Sequence, residues 1–171
     1  YRRALALRPH WGEAHSNLGD AYQGCGAHDQ AVAAYQQALH YLPDSPQVLS
    51  NLGGAWQKLG AGEQAIACYQ RALELTPDFA QAQLNVGLAW HERGDVEHAL
   101  PHVQRAVELA PADAEAQNAL GLVLRDLGAW EGARRCFEQA LALDSQNASA
   151  HTNHAMLLLA SGEFPSGWLE Y

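Results

Sequence analysis

The chain has 171 residues, 48% of them hydrophobic, and a formal net charge of −9 at pH 7. The apolar content is ample for a buried core, and the acidic charge argues against nucleic acid and anionic membranes as partners, because both attract basic patches. The same charge fits either a neutral or basic peptide partner or simple solubility. The three cysteines match neither a zinc pattern nor a disulfide framework, so we expect reduced thiols and a cytoplasmic protein.

One series of residues recurs every 34 positions. In the first copy it consists of Leu18, Gly19, Tyr22, Gly26, Ala31, Tyr35, Ala38 and Pro43. In the second copy it consists of Leu52, Gly53, Trp56, Gly60, Ala65, Tyr69, Ala72 and Pro77. The third copy has Val86, Gly87, Trp90, Gly94, Ala99, Val103, Ala106 and Pro111, and the fourth has Leu120, Gly121, Leu124, Gly128, Ala133, Phe137, Ala140 and Ser145.

Each copy predicts a pair of helices separated by a glycine. Apolar positions four residues apart share one helical face. Gly19 and Ala31 are small, so the two helices can approach closely. Gly26 suits a left-handed cap after the first helix, and Pro43 ends the second helix. A single pair cannot bury its own apolar face, so neighbouring pairs must stack.

The elements follow in chain order from the end of an earlier copy, residues 1–9. Helix pairs are predicted at 13–25 and 29–41, 47–59 and 63–75, 81–93 and 97–109, and 115–127 and 131–143. A degenerate partial copy begins at Ala148. We see no polar capping helix and no signal peptide or membrane-spanning run. The chain is therefore expected to be a fragment that exposes apolar side chains at its ends, including Leu5 and Trp168.

The 34-residue period and its small-large-small pattern resemble the tetratricopeptide repeat family. The resemblance implies an all-α, right-handed superhelical solenoid of antiparallel helix hairpins. It implies one array over 1–171, with a repeat end at 1–9, full repeats at 12–45, 46–79, 80–113 and 114–147, and a partial repeat at 148–171. In this family the first helices of the pairs line a concave surface, and that surface usually binds a peptide.

Asparagine recurs on the predicted concave surface at the residue before the Leu-Gly pair of the repeat. It is present as Asn17, Asn51, Asn85 and Asn153, and Ala119 interrupts the row. Because an amide offers both donors and an acceptor, such a row can hold the backbone of an extended peptide. The row resembles the asparagine ladder in the repeat region of O-linked N-acetylglucosamine transferases. Duplication alone, or hydrogen bonds between helices of the solenoid, would also explain it.

The remaining candidate peptide-binding residues follow from helical spacing along the same face. They are Asp20, Gln47, Lys58, Gln81, His91 and Arg125. A clamp for a terminal carboxylate is disfavoured, because Lys58 and Arg125 are far apart in the sequence and Ser16 and Ser50 occupy candidate basic positions.

No set of residues indicates catalysis, so we expect neither an enzyme nor a cofactor. His98 and His102 are four residues apart and could present two metal ligands, but no third ligand is evident. We expect exposed histidines and no metal site. The leading hypothesis is a scaffold for a protein or peptide partner. The alternatives are the substrate-recruiting region of a larger glycosyltransferase and a homo-oligomer formed through uncapped ends.

Overall fold

The computed structural model describes residues 1–170, in which all regular structure is α-helical. The helices are α1 (Arg2–Leu7), α2 (Gly12–Gly24), α3 (His28–Tyr41), α4 (Pro46–Lys58), α5 (Gly62–Leu75), α6 (Ala80–Glu92), α7 (Val96–Leu109), α8 (Ala114–Asp126), α9 (Trp130–Leu143), α10 (Ala148–Ala160) and α11 (Phe164–Glu170). The predicted helices agree with these bounds to within one residue at each end. Tyr171, the last residue of the predicted partial repeat, lies outside the described residues.

The chain divides into two compact units, Tyr1–Ala89 and a second unit that begins at Trp90. The first unit contains α1 to α5 and most of α6, and the second contains the end of α6 and α7 to α11. In the first unit α2 pairs with α3 and α4 with α5, and α3 packs on α4. In the second unit α8 pairs with α9 and α10 with α11, and α7 packs on α8. The predicted pairs α2–α3, α4–α5 and α8–α9 are therefore confirmed, and the pair of α6 and α7 stays a prediction.

A glycine facing an aromatic ring sets how closely the two helices of a pair approach. A Cβ atom on Gly19 would lie 2.5 Å from Cε1 of Tyr35, so any larger residue would collide with the ring. Tyr35 is almost completely buried. The same arrangement recurs at Gly53 with Tyr69 and at Gly121 with Phe137. We call these three contacts the helix-pair seam.

Glycine also ends the first helix of each pair, as predicted. Gly26 has φ of 72°, a left-handed conformation that costs glycine little. The N–H group of Ala27 then donates to the carbonyl of Tyr22 at 2.9 Å, which satisfies one carbonyl of the last helical turn. Positive φ recurs at Gly60, Gly94, Gly128 and Gly162.

Two of the cysteines, each next to the aromatic residue of its second helix, are packing residues. Cys136 is buried, and Cys68 packs against the core of the first unit. Burial raises the pKa of the Cys68 thiol to about 11, so this thiol stays protonated at neutral pH. Cys25 is exposed.

The expectation of exposed apolar ends is correct for one residue and wrong for the other. Trp168 on α11 is 67% exposed, and Leu7 at the end of α1 is 85% exposed. Leu5, in contrast, is half-buried. α1 packs on α2, and this contact covers part of its surface.

Candidate functional site

The candidate site in the first unit lies on α2, α4 and α6. We define the first-helix face as the polar side chains that these helices carry at related repeat positions: Asn17, Asp20, Gln47, Ser50, Asn51, Gln81 and Asn85. Asn17 is exposed, and its side-chain amide forms no hydrogen bond with another described residue. Asn51 and Asn85 are half-buried.

The Asn51 amide joins α2 to α4. Its Nδ2 donates to Oδ1 of Asp20 at 3.0 Å, and its Oδ1 accepts from Nε2 of Gln47 at 3.0 Å. Gln47 lies one turn earlier on α4, the spacing at which helical side chains meet. The amide thus has one donor and one acceptor site engaged, and its second N–H and second lone pair remain.

The Asn85 amide repeats this arrangement one copy later. Its Oδ1 accepts from Nε2 of Gln81 at 3.1 Å, and its Nδ2 donates to Oγ of Ser50 at 3.3 Å. Of the alternatives that the sequence left open, hydrogen bonding between helices therefore occurs for both asparagines. The same bonds fix the orientation of each amide.

Asp20 is the charged group at the centre of this network. Its Oδ1 accepts from the Tyr35 hydroxyl at 2.7 Å as well as from Asn51, and the Tyr35 hydroxyl also lies 3.0 Å from Oε1 of Gln23. Burial, together with the hydrogen bond to Asp20 and its charge, raises the pKa of Tyr35 above its ordinary value. The hydroxyl therefore remains a donor, and it links the seam to the first-helix face.

In the second unit, Asn153 bonds to Asn118, which lies one residue before Ala119, the residue that interrupts the asparagine row. Nδ2 of Asn153 donates to Oδ1 of Asn118 at 2.9 Å. Both line an open depression of about 410 Å³ between α8 and α10. Ala119, at the predicted ladder position, is buried instead. The displacement of asparagine by one residue was the signal for this acceptor.

His91 and Arg125 meet at a residue that sequence reasoning missed. Nε2 of His91 lies 2.8 Å from Oδ2 of Asp126, and Nε of Arg125 donates to Oδ1 of Asp126 at 2.9 Å. Burial alone would raise the pKa of Asp126, but the hydrogen bonds from Arg125 and His91 outweigh it and lower that pKa. Lys58, in the first unit, is exposed at the end of α4.

Of the two histidines on α7, His98 is exposed and contacts other residues, whereas His102 is half-buried, so the expectation of exposed histidines is wrong for His102. Nδ1 of His98 lies 2.8 Å from Oδ2 of Asp95, and the imidazole lies 5.1 Å from the Trp90 ring. Within residues 1–170 no cluster of three or more histidine, cysteine or acidic side chains has metal-binding geometry. Every helix in this part of the chain is too short or too polar to cross a bilayer.

Comparison with known proteins identifies the repeats. Three tetratricopeptide repeat models match residues 12–45, 57–114 and 121–162, which together make up most of the chain. No curated protein matches the sequence.

Solved structures share the fold over nearly the whole chain. MamA of Desulfovibrio magneticus RS-1 is 21% identical with a TM-score of 0.81, over 93% of this chain and 90% of that one. PilF of Pseudomonas aeruginosa is 25% identical with a TM-score of 0.84, over 94% and 73%. YrrB, described as having an unusual peptide-binding site, is 20% identical with a TM-score of 0.75, over 99% and 87%. These likenesses show the fold, which is an all-α solenoid of helix hairpins. Because the three repeat models cover most of the chain, the chain belongs to the tetratricopeptide repeat family.

Proposed function

We propose that the chain is a protein-interaction scaffold that holds an extended peptide against its first helices. In the first unit the contacts come from the first-helix face, with Asn17, Asn51 and Asn85 as the residues that meet the peptide backbone. Membership of the tetratricopeptide family and the peptide-binding site described for YrrB support this proposal.

The observation that carries it is the orientation of the amides. The bonds from Gln47 and to Asp20 hold the Asn51 side chain in one orientation, so little side-chain entropy remains to be lost on binding. The N–H and the lone pair that these bonds leave unused match the alternating C=O and N–H groups of an extended backbone. A ligand held in this way is recognised with little regard for its side chains.

The test is a peptide-array screen followed by affinity measurements on the best peptides. The double variant Asn51→Ala, Asn85→Ala is compared with wild type by fluorescence anisotropy. We expect affinity to fall about tenfold, because each lost hydrogen bond contributes on the order of 0.5–1.5 kcal/mol. Alanine favours helices more than asparagine does, so the thermal midpoint should change little.

A matched control uses exposed glutamines on the second helices. Gln37→Ala with Gln70→Ala also removes two amides, from α3 and α5. This variant should bind like wild type. Equal affinity for wild type and the asparagine variant would refute the amide contacts, and then the asparagines serve only to join neighbouring helices.

The finer resemblance to O-linked N-acetylglucosamine transferases rests on the asparagine row and on the closing sequence at 162–171, and it stays a prediction. A recruiting role requires a catalytic domain encoded beyond Tyr171, and reading the gene beyond that codon tests it.

The cytoplasmic location also stays a prediction. Expression of the protein with a fluorescent tag, followed by fractionation, would test that location.

A second candidate function is self-association through α11. Phe164, Trp168 and Leu169 are 58%, 67% and 91% exposed, and a helix with such a face favours a protein partner. Sedimentation velocity over a concentration series tests this candidate. A dimer that Trp168→Ser dissociates would support it, and a monomer at all concentrations would contradict it.

A further inference from the structure

Two adjacent glycines in α4 differ in what the structure requires of them. A Cβ atom on Gly53 would lie 2.5 Å from Cε1 of the buried Tyr69, so this position must be glycine. A Cβ atom on Gly54 would meet only Nε2 of Gln23 at 3.5 Å and the Tyr69 hydroxyl at 3.8 Å, which are ordinary contacts. Glycine inside a helix is less stable than alanine. Packing therefore does not explain Gly54.

The absence of a side chain at Gly54 leaves a notch between α2 and α4. Nε2 of Gln23, on α2, and the hydroxyl of Tyr69, on α5, are the side-chain atoms nearest to this space. Asp20 precedes Gln23 by three residues on α2, and Asn51 precedes Gly54 by three on α4, so all four lie on facing surfaces. The bond from Asn51 to Asp20 confirms that the two surfaces meet.

The carboxylate of Asp20 is held in place with one oxygen available. The Tyr35 hydroxyl and the Asn51 amide both bind Oδ1, at 2.7 Å and 3.0 Å. Oδ2 has no hydrogen-bond partner within residues 1–170, and Asp20 is exposed. An oriented and exposed carboxylate oxygen is suited to a charge-assisted hydrogen bond from a cation.

The repeat pattern separates this notch from later copies. Asp20 and Gly54 occupy the same repeat position in the first and second copies. At that position the third and fourth copies have Leu88 and Leu122. Tyr35 and Tyr69 are likewise equivalent in the first two copies. The third and fourth copies have Val103 and Phe137 there, which lack a hydroxyl. A polar or absent side chain at the first of these positions and a ring hydroxyl at the second thus occur together in the first two copies, and both are absent from the next two.

We infer that the notch at Gly54 binds one lysine or arginine side chain of the captured peptide. Asp20 Oδ2 accepts from the cationic head, and the methylene stem packs in the space that Gly54 leaves. This inference rests on the proposed function, since the peptide backbone must lie on the same face. Glu13 is on the same side of α2 and adds negative charge, while Lys58, on α4, is exposed at the helix end on a long flexible stem.

The test uses twelve-residue peptides of serine, alanine and threonine with one variable central residue. That residue is lysine, arginine, norleucine or glutamate, and norleucine is the uncharged counterpart of lysine. Anisotropy at low salt should show the lysine and arginine peptides binding about three to ten times more tightly than the norleucine peptide. The preference should shrink at high salt, because the partners are exposed.

Two variants assign the preference to the notch. Asp20→Asn retains the acceptor for Tyr35 and removes the charge, so the lysine and norleucine peptides should bind equally well. Gly54→Ala should reduce lysine binding without lowering the thermal midpoint. Gly62→Ala, at the start of α5 with open space around its Cβ, is the control and should bind like wild type.

The outcomes separate this inference from the function on which it rests. Wild type that binds all four peptides equally overturns the cation notch and leaves the backbone contacts intact. A lysine preference that persists in Asp20→Asn also overturns the notch. Wild type that binds none of the peptides overturns both proposals.

Discussion

The helix-pair seam and the first-helix face follow different rules, although both recur with the same 34-residue period. The seam is nearly invariant: a Cβ atom on Gly19, Gly53 or Gly121 would lie 2.5, 2.5 or 2.4 Å from the facing ring. The face varies, since the acceptor for the asparagine of the following copy is Asp20, Ser50 or Asn118. Buried contacts tolerate no added atom, whereas half-exposed hydrogen bonds accept several partners. The face is thus where this chain can vary its ligand without losing its fold.

The largest effect is expected from breaking the seam while sparing its neighbour. Gly53→Ala places a methyl group against the buried ring of Tyr69 and should destabilise the fold by about 2–3 kcal/mol, as overpacking does. Gly54→Ala, one residue later, should stabilise it by about 0.5–1 kcal/mol through helix propensity. Urea unfolding followed by circular dichroism measures both. If the two variants gain stability alike, then helix propensity and not the ring contact governs these positions.

A smaller effect is expected where the seam and the face meet. Tyr35→Phe removes the hydroxyl that donates to Asp20 and should cost about 1 kcal/mol at neutral pH. The raised pKa of Tyr35 means that the unfolded chain releases this proton first, so its contribution to stability is lost as pH rises above about 10. The stability difference between wild type and Tyr35→Phe should therefore narrow in alkaline solution. A constant difference from pH 7 to pH 11 would contradict the role assigned to burial and Asp20.

The smallest effect is expected within the face itself. A double-mutant cycle with Asn118→Ala and Asn153→Ala should give a coupling free energy of about 0.5 kcal/mol, because one half-exposed hydrogen bond joins the two amides. Chemical denaturation of the four proteins gives the value. A coupling as large as the Gly53→Ala effect would mean that the face is as rigidly specified as the seam.

The sequence was sufficient to predict the helix-pair seam, because the residues that form the seam lie within a single repeat. Glycine, the small residue and the ring recur at fixed distances, and helix bounds follow from them to within one residue. The face was harder to predict, because its hydrogen-bond partners depend on how neighbouring hairpins pack. Asn51 bonds to a residue 31 positions earlier, while Asn85 and Asn153 bond 35 positions earlier. The sequence around each asparagine does not show whether its partner lies 31 or 35 positions earlier.

Asp126 illustrates the same limit in the second unit. Its partner His91 lies 35 residues away on another helix. The spacing of charged residues indicated that His91 and Arg125 share the face of the first helices, but it did not reveal the carboxylate that joins them. Packing between helices decided that contact.

Recognition of the peptide backbone is the central claim, and an ester substitution in the ligand tests it most directly. A peptide that wild type captures is compared with the same sequence in which two alternating amide N–H groups are replaced by ester oxygens. Every side chain is retained. If the backbone is recognised, affinity should fall about tenfold, because two hydrogen bonds are lost. The ester substitutions should reduce affinity less in the variant Asn51→Ala, Asn85→Ala than in wild type. Unchanged affinity for the ester peptide would show that side chains alone are recognised and would contradict the account.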